Sequence, residues 1–146
     1  MRAERDFAMR VLRSCPVFAP LSPEPLSVLA EMVRVDAYGA GETVCDAGEA
    51  ASECYVVASG SLAVVLPGAE APVRTLGPGD VLGEYGLFTE RVRTATVLAV
   101  RESELLVVDY ERLQRLLLEF PEATFSLLST TVRRLIDAER RERTRR

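Results

Sequence analysis

The chain has 146 residues, 48% of them hydrophobic, which suits a single hydrophobic core of ordinary size, and its formal net charge of -4 argues against a generally basic surface. A nucleic acid or an acidic membrane would have to be met by a local patch. All 18 basic residues are arginine and histidine is absent, which removes the commonest metal ligand and the usual general base near neutral pH, so no catalysis, metal site or cofactor is expected. The N-terminal stretch "MRAERDFAMRVLRSC" is too charged for a signal peptide, and no apolar run approaches the ~20 residues of a membrane span, so the chain reads as cytoplasmic. Phe7, Ala8, Val11 and Leu12 recur at helical spacing and predict a helix from Arg5 to Leu12, closed by Pro16. "SPEPLSVLAEMV" predicts a second helix capped by Ser22, with Leu26, Leu29, Ala30 and Val33 on one face.

From about Val35 to Asp109 the texture changes to short strand-like runs, "ETVCD", "CYVVAS", "SLAVVL", "VRTL", "TATVLAV" and "SELLVVD", separated by glycines. That alternation predicts an antiparallel β-roll or jelly roll, and with helices on either side the fold class is α+β. Cys15, Cys45 and Cys54 lack CxxC spacing and read as buried free thiols. After residue 109, "DYERLQRLLLEF" carries an Asp109 cap with Leu113, Leu116 and Leu117 on one face, and Pro121 starts a long helix toward Arg146. Leu127, Leu128, Thr131, Val132 and Leu135 fall at spacings that form an apolar stripe on that helix. The terminal "RRLIDAERRERTRR" holds seven arginines against three acids and reads as a solvated basic helix end complementing the helix dipole. With no internal repeat or low-complexity linker, one domain over 1–146 is expected: helices over 1–34, the roll over 35–109 and helices over 110–146.

The stretch "GEYGLFTERVRTATV", 83–97, is the most informative. Residues 84–89 are confined between two strands to a loop or about one helical turn, whose N–H groups are mostly unpaired. Gly83 and Gly86 lack the Cβ atoms that would hold a ligand away, and Arg93 near the next strand can present a planar guanidinium to the same spot. Glu84 beside an anion makes sense as an acceptor for a sugar hydroxyl, its charge compensated by Arg93 or the helix terminus. A ribose phosphate fits this set.

On these residues the segment resembles the phosphate-binding cassette of the cyclic nucleotide-binding domain family, the type shared by the catabolite activator protein, protein kinase A regulatory subunits and cyclic-nucleotide-gated channels. The "GE" pair at Gly83 and Glu84 opens the cassette and Arg93, Thr94 and Ala95 close it. "GAGETVCDAGEAASECYVVASGSLAVV" and "LGPGDVLGE" are similar to the family's roll and lead-in, so the resemblance spans roughly residues 15–140. It implies that Arg93 binds the cyclic phosphate, Glu84 the ribose 2′-OH, and the backbone N–H groups of Gly86 and Leu87 complete the cradle, with Tyr85 where the family carries a core-facing aliphatic residue. It also implies a cyclic AMP or cyclic GMP sensor with the C-terminal helices as a lid. Thr94 offers a hydroxyl to a guanine edge, and the expected pocket accepts both nucleotides with at most a modest preference for cyclic AMP.

Arg91 is a decoy for Arg93, expected at the loop tip. The "DAERRER" stretch departs from the adenine contacts and dimer helix of the activator protein. No helix-turn-helix, kinase or cyclase signature is present, so direct DNA binding is not expected and the effector is unidentified. A homodimer through the C-terminal helix is a possible partner arrangement. The alternative reading is a degenerate module of the same fold used for dimerisation or docking, and the similar metal-using cupins are disfavoured by the missing histidines.

Overall fold

The computed structural model describes residues 2–145, with the side chains described as far as residue 144. Helix α1, Arg2–Ser14, starts earlier than the apolar spacing predicts, with Glu4 in its first turn and Arg13 in its last, each suited to the nearby end of the helix dipole. Helix α2, Pro23–Met32, has Ser22 at its N-cap, but the hydroxyl makes no capping bond, and Pro25 at the third position has no N–H to offer it. Val33, expected on the helical face, is instead the extended residue that ends α2.

The strands are β1 Arg34–Tyr38, β2 Thr43–Cys45, β3 Glu53–Ser59, β4 Leu62–Val65, β5 Arg74–Leu76, β6 Val81–Leu82, β7 Thr96–Ala99 and β8 Ser103–Asp109. Among the described residues they form two four-stranded sheets, ordered β1-β8-β3-β6 and β2-β7-β4-β5, with antiparallel pairings. Strand β1 was not singled out in the sequence because its charged Arg34 and Asp36 alternate with exposed Val35 and Ala37. Helix α3, Tyr110–Glu119, follows β8 directly, and the Asp109 carboxylate accepts from the Arg112 N–H at 3.1 Å, the expected cap. Helix α4, Pro121–Arg145, completes the described chain, and Arg146, to which the long helix was projected, lies outside the described residues.

The two central strands decide the layering. On β8, Leu106 and Val108 face the helices while Leu105 and Val107 face the second sheet. Strand β3 does the same with Cys54 and Val56 against Tyr55 and Val57. Buried on both faces, these strands read as near-continuous apolar runs, and each fully buried Val or Leu contributes about 1.5–3 kcal/mol of hydrophobic stabilisation. Between the sheets the roll interior is filled by Leu62, Val64, Leu76, Val97 and Ala99, and its open end is left to the residues described next. Cys15, Cys45 and Cys54 are buried and free, and burial pushes each thiol above its ordinary pKa. No described helix is long and apolar enough to cross a membrane.

Candidate functional site

Strand β6 ends at the mouth of the roll, where Gly83 turns the chain into a single 3₁₀ turn, Glu84–Leu87. Gly83 sits at φ 85°, the left-handed region, and a Cβ there would stand 2.7 Å from Arg93 Nη1. At Gly86 the obstacle is the Tyr110 ring, whose Cζ would lie 2.9 Å from an added Cβ. The Tyr110 hydroxyl donates to the Gly83 carbonyl, so the first residue of α3 holds the turn against the end of β6.

Arg93 is 9% exposed and points inward. Its Nη2 donates to the Glu53 carbonyl at 2.7 Å and approaches the Tyr55 hydroxyl at 3.4 Å, while its guanidinium carbon lies 5.2 Å from the centre of the Tyr55 ring. Tyr55 in turn donates to the Glu53 carboxylate at 3.0 Å, and Arg34 reaches the same carboxylate at 3.2 Å. Backbone bonds from Arg93 N–H to Glu49 and from Gly48 N–H to Arg93, each 2.8 Å, fix the arginine's main chain to the loop before β3. The guanidinium is thus oriented by hydrogen bonding and ring packing against β3.

Glu84 is 7% exposed and does not pair with Arg93. Its compensating charge comes from α4: Arg134 Nη1 meets Glu84 Oε1 at 2.9 Å. Burial raises the carboxyl pKa above its ordinary value, opposed by Arg134, by the residue's own amide and by Arg74. Arg134 was read as part of a solvated basic end. The signal for it was its spacing from Leu127 and Thr131, both buried, which puts all three on the inward face of α4. The stripe expected on α4 therefore divides: Leu127 and Thr131 are buried, whereas Leu128, Val132 and Leu135 are exposed.

Gly83, Glu84, Tyr85, Gly86, Arg93, Thr94 and Ala95 line one cavity of about 170 Å³, with Val64, Arg74, Val97 and Tyr110 completing its walls. Leu87 does not line it; as the last residue of the turn it packs against the helix-side core. The Gly86 N–H is not free either, because the 3₁₀ turn closes it onto the Gly83 carbonyl at 3.2 Å. Tyr85 is exposed rather than core-facing, so its hydroxyl needs no buried partner. Arg91 is not at a free loop tip: its guanidinium carbon lies 5.2 Å from the centre of the Tyr110 ring.

A larger groove of about 1240 Å³ runs beside α1, α2 and β1. Its charged residues, Arg2, Glu4, Arg5, Glu31, Arg34 and Glu104, are all exposed and mixed in sign, so no chemistry converges there. The smaller cavity instead combines a buried cation, a buried hydrogen-bond-accepting carboxylate and apolar walls. That set can bind and orient a sugar phosphate.

Residues 35–120 match the family model described as the cyclic nucleotide-binding domain. The chain is 30% identical over 131 residues to a cyclic AMP receptor protein of Thermus thermophilus, covering 88% of this chain and 61% of that protein. It is 31% identical over 116 residues to a cGMP-dependent protein kinase, isozyme 1, of Drosophila melanogaster, covering 75% of this chain and 15% of the kinase. The chain thus spans less than two thirds of these relatives. Among solved structures, the N-terminal domain of a transcriptional regulator from Streptomyces coelicolor superposes with a TM-score of 0.75 at 32% identity, over 88% of this chain and 92% of that one. The regulatory domain of Toxoplasma gondii PKA, crystallised with cAMP, shares the fold with a TM-score of 0.72 at 24% identity, over 80% of this chain and 45% of that one.

Proposed function

The chain belongs to the cyclic nucleotide-binding domain family, and from that premise we propose that it is a non-catalytic sensor that binds cyclic AMP or cyclic GMP in the cavity behind the 83–95 cassette. In this reading Arg93 holds the cyclic phosphate and Glu84 accepts from the ribose 2′-OH. Gly83 and Gly86 allow the ligand to approach the backbone, and Thr94 and Ala95 line its wall. The observation that carries the reading is the inward, nine-tenths-buried guanidinium of Arg93 held beside Gly83.

A cavity of about 170 Å³ is smaller than the ~300–1,000 Å³ of typical ligand sites, so filling it requires a bordering element to yield. Helix α4 contributes no residue to the cavity wall, but it is tied to that wall, because its Arg134 is bound to the carboxylate assigned to the ribose. A nucleotide that competes for Glu84 favours a different α4 position, and differential affinity for the two positions is what converts occupancy into a signal. The chain acts as one regulatory domain over 1–146, with the cytoplasm as its compartment and an effector still to be identified.

A second arrangement is supported by one observation: Phe125, Leu128, Val132 and Leu135 are 75%, 45%, 44% and 49% exposed and fall at coiled-coil spacing on the outward face of α4. This stripe fits a homodimer through α4, in the sensor or in a non-sensing docking module. Thermal denaturation with and without millimolar nucleotide separates the two, since a ligand at 100 times its Kd stabilises by ~2.7 kcal/mol. A rise in Tm with either nucleotide supports the sensor; no rise with both supports the module.

A further inference from the structure

Arg93 is a buried cation without a carboxylate of its own. Among the described residues no acid pairs with it, because Glu84, the buried acid of the cassette, is taken by Arg134. Both acceptors of its Nη2 atom lie on β3: the Glu53 carbonyl at 2.7 Å and the Tyr55 hydroxyl at 3.4 Å. Its Nη1 atom stands against Gly83, where both residues line the cavity. The fork is therefore held by Nη2 and offered to a ligand by Nη1.

The Tyr55 hydroxyl has one proton, and the direction of that proton decides whether the hydroxyl helps or opposes Arg93. Turned toward Glu53, it completes the 3.0 Å bond to Oε1 and leaves a lone pair for the guanidinium; turned toward Arg93, it would set one donor against another. Glu53 fixes the choice, since a carboxylate accepts and does not donate. Burial, and then the neighbouring Glu53 carboxylate, push the phenol pKa up, so the proton stays available to donate. From the surface, Arg34 meets the same carboxylate at 3.2 Å, which offsets its charge and leaves the acceptor in place. Neither Glu53 nor Tyr55 lines the cavity.

We infer that Tyr55 and Glu53 are positioning residues for phosphate binding: Glu53 orients the Tyr55 hydroxyl, and that hydroxyl, with the ring 5.2 Å from the guanidinium carbon, holds Arg93 in place for the phosphate. The inference rests on the cyclic nucleotide reading of the cassette, in which Arg93 takes the phosphate. Affinity then depends on Glu53, a side chain outside the cavity, and on its capacity to accept rather than on its charge.

The test is titration calorimetry of cyclic AMP and cyclic GMP into the full chain and into Tyr55→Phe, Glu53→Leu and Glu53→Gln. Tyr55→Phe keeps the ring and removes the hydroxyl, and is expected to weaken both nucleotides about tenfold and by the same factor, because both carry the same phosphate. Glu53→Leu, which leaves the hydroxyl without its acceptor, should do the same, whereas Glu53→Gln, whose amide oxygen still accepts, should stay within about threefold of the wild type. In the nucleotide-free protein, the Arg93 Nε–Hε cross-peak, identified by its loss in Arg93→Ala, should shift in Tyr55→Phe and Glu53→Leu and keep its place in Glu53→Gln. Should Tyr55→Phe fail to fold, the two Glu53 variants decide, since that side chain is partly exposed. Wild-type affinity in Glu53→Leu or in folded Tyr55→Phe overturns the inference. So does a Gln variant as weak as the Leu variant, a loss confined to one nucleotide, or a cross-peak unmoved in every variant. In each of those cases the cassette reading stands, whereas a wild type that binds neither nucleotide removes both.

Discussion

Glu84 and Arg134 stand fifty positions apart in the chain and 2.9 Å apart in space, joining the 3₁₀ turn to helix α4. The carboxylate is buried and the guanidinium half-buried, so the pair is asymmetric: removing either partner has a different consequence. With Arg134→Met the carboxylate is left buried without its cation, and a destabilisation of ~1–3 kcal/mol at neutral pH is expected in urea denaturation. Adding Glu84→Gln to that variant should recover most of the loss. If the two effects simply add, the pair is not coupled and the tether from cassette to helix fails.

Glu84→Gln alone tests the buried charge. Because burial raises the native carboxyl pKa above its ordinary 4.5, the native state holds this proton more tightly than the unfolded chain. The stabilising contribution is therefore complete below that ordinary value and is lost as pH rises through the raised native one. Glu84→Gln should flatten this part of the stability profile without lowering Tm at neutral pH. Nucleotide affinity should have the opposite dependence, falling as acidification protonates the acceptor of the 2′-OH; affinity unchanged by both acid and Glu84→Gln would remove Glu84 from the site.

Arg93→Ala deletes the buried cation assigned to the phosphate. The expected loss is ~2–5 kcal/mol of affinity for cyclic AMP and cyclic GMP alike, read by calorimetry. A loss below ~0.5 kcal/mol would assign the phosphate elsewhere, since measured truncations of hydrogen-bonded buried charges are several times larger.

Gly86→Ala places a methyl group against the Tyr110 ring. Tyr110 is fully buried and its hydroxyl is committed to Gly83, so it cannot move aside freely. A cost of ~1–3 kcal/mol is expected, accompanied by weaker nucleotide binding as the turn shifts. Wild-type stability in the variant would show that the ring is not the constraint on this position.

Leu128→Glu with Val132→Glu tests the outward stripe of α4. Both side chains are exposed, so the fold should survive while self-association is abolished in sedimentation velocity. A wild type that is monomeric at high concentration, indistinguishable from the double variant, would rule out the α4 homodimer.

Local chemistry explains what the sequence made legible. The central strands announced themselves because β3 and β8 bury both faces, and the side-chain cap of α3 was placed at Asp109, whereas Ser22 holds the N-cap position of α2 without bonding it. Confinement between strands left a loop or about one helical turn for residues 84–89, and the structure has a 3₁₀ turn at Glu84–Leu87. Long-range pairings were harder. Arg134 looked like one of many terminal arginines, and its distinction is that α4 packs Leu127 and Thr131 inward on the same face. Leu87 was assigned to the cradle through its backbone N–H, and its side chain packs against the helix-side core.

Strand β8 passes into α3 with no residue between Asp109 and Tyr110, and the second of these is anchored to Gly83. Tilting α3 would therefore unpick a paired strand and drag the cassette with it, whereas Phe120, outside helical geometry at φ -120° and ψ 81°, separates α3 from α4 without either burden. A displacement of α4 that left β8 and the 83–87 turn in place would therefore have to be taken up at Phe120.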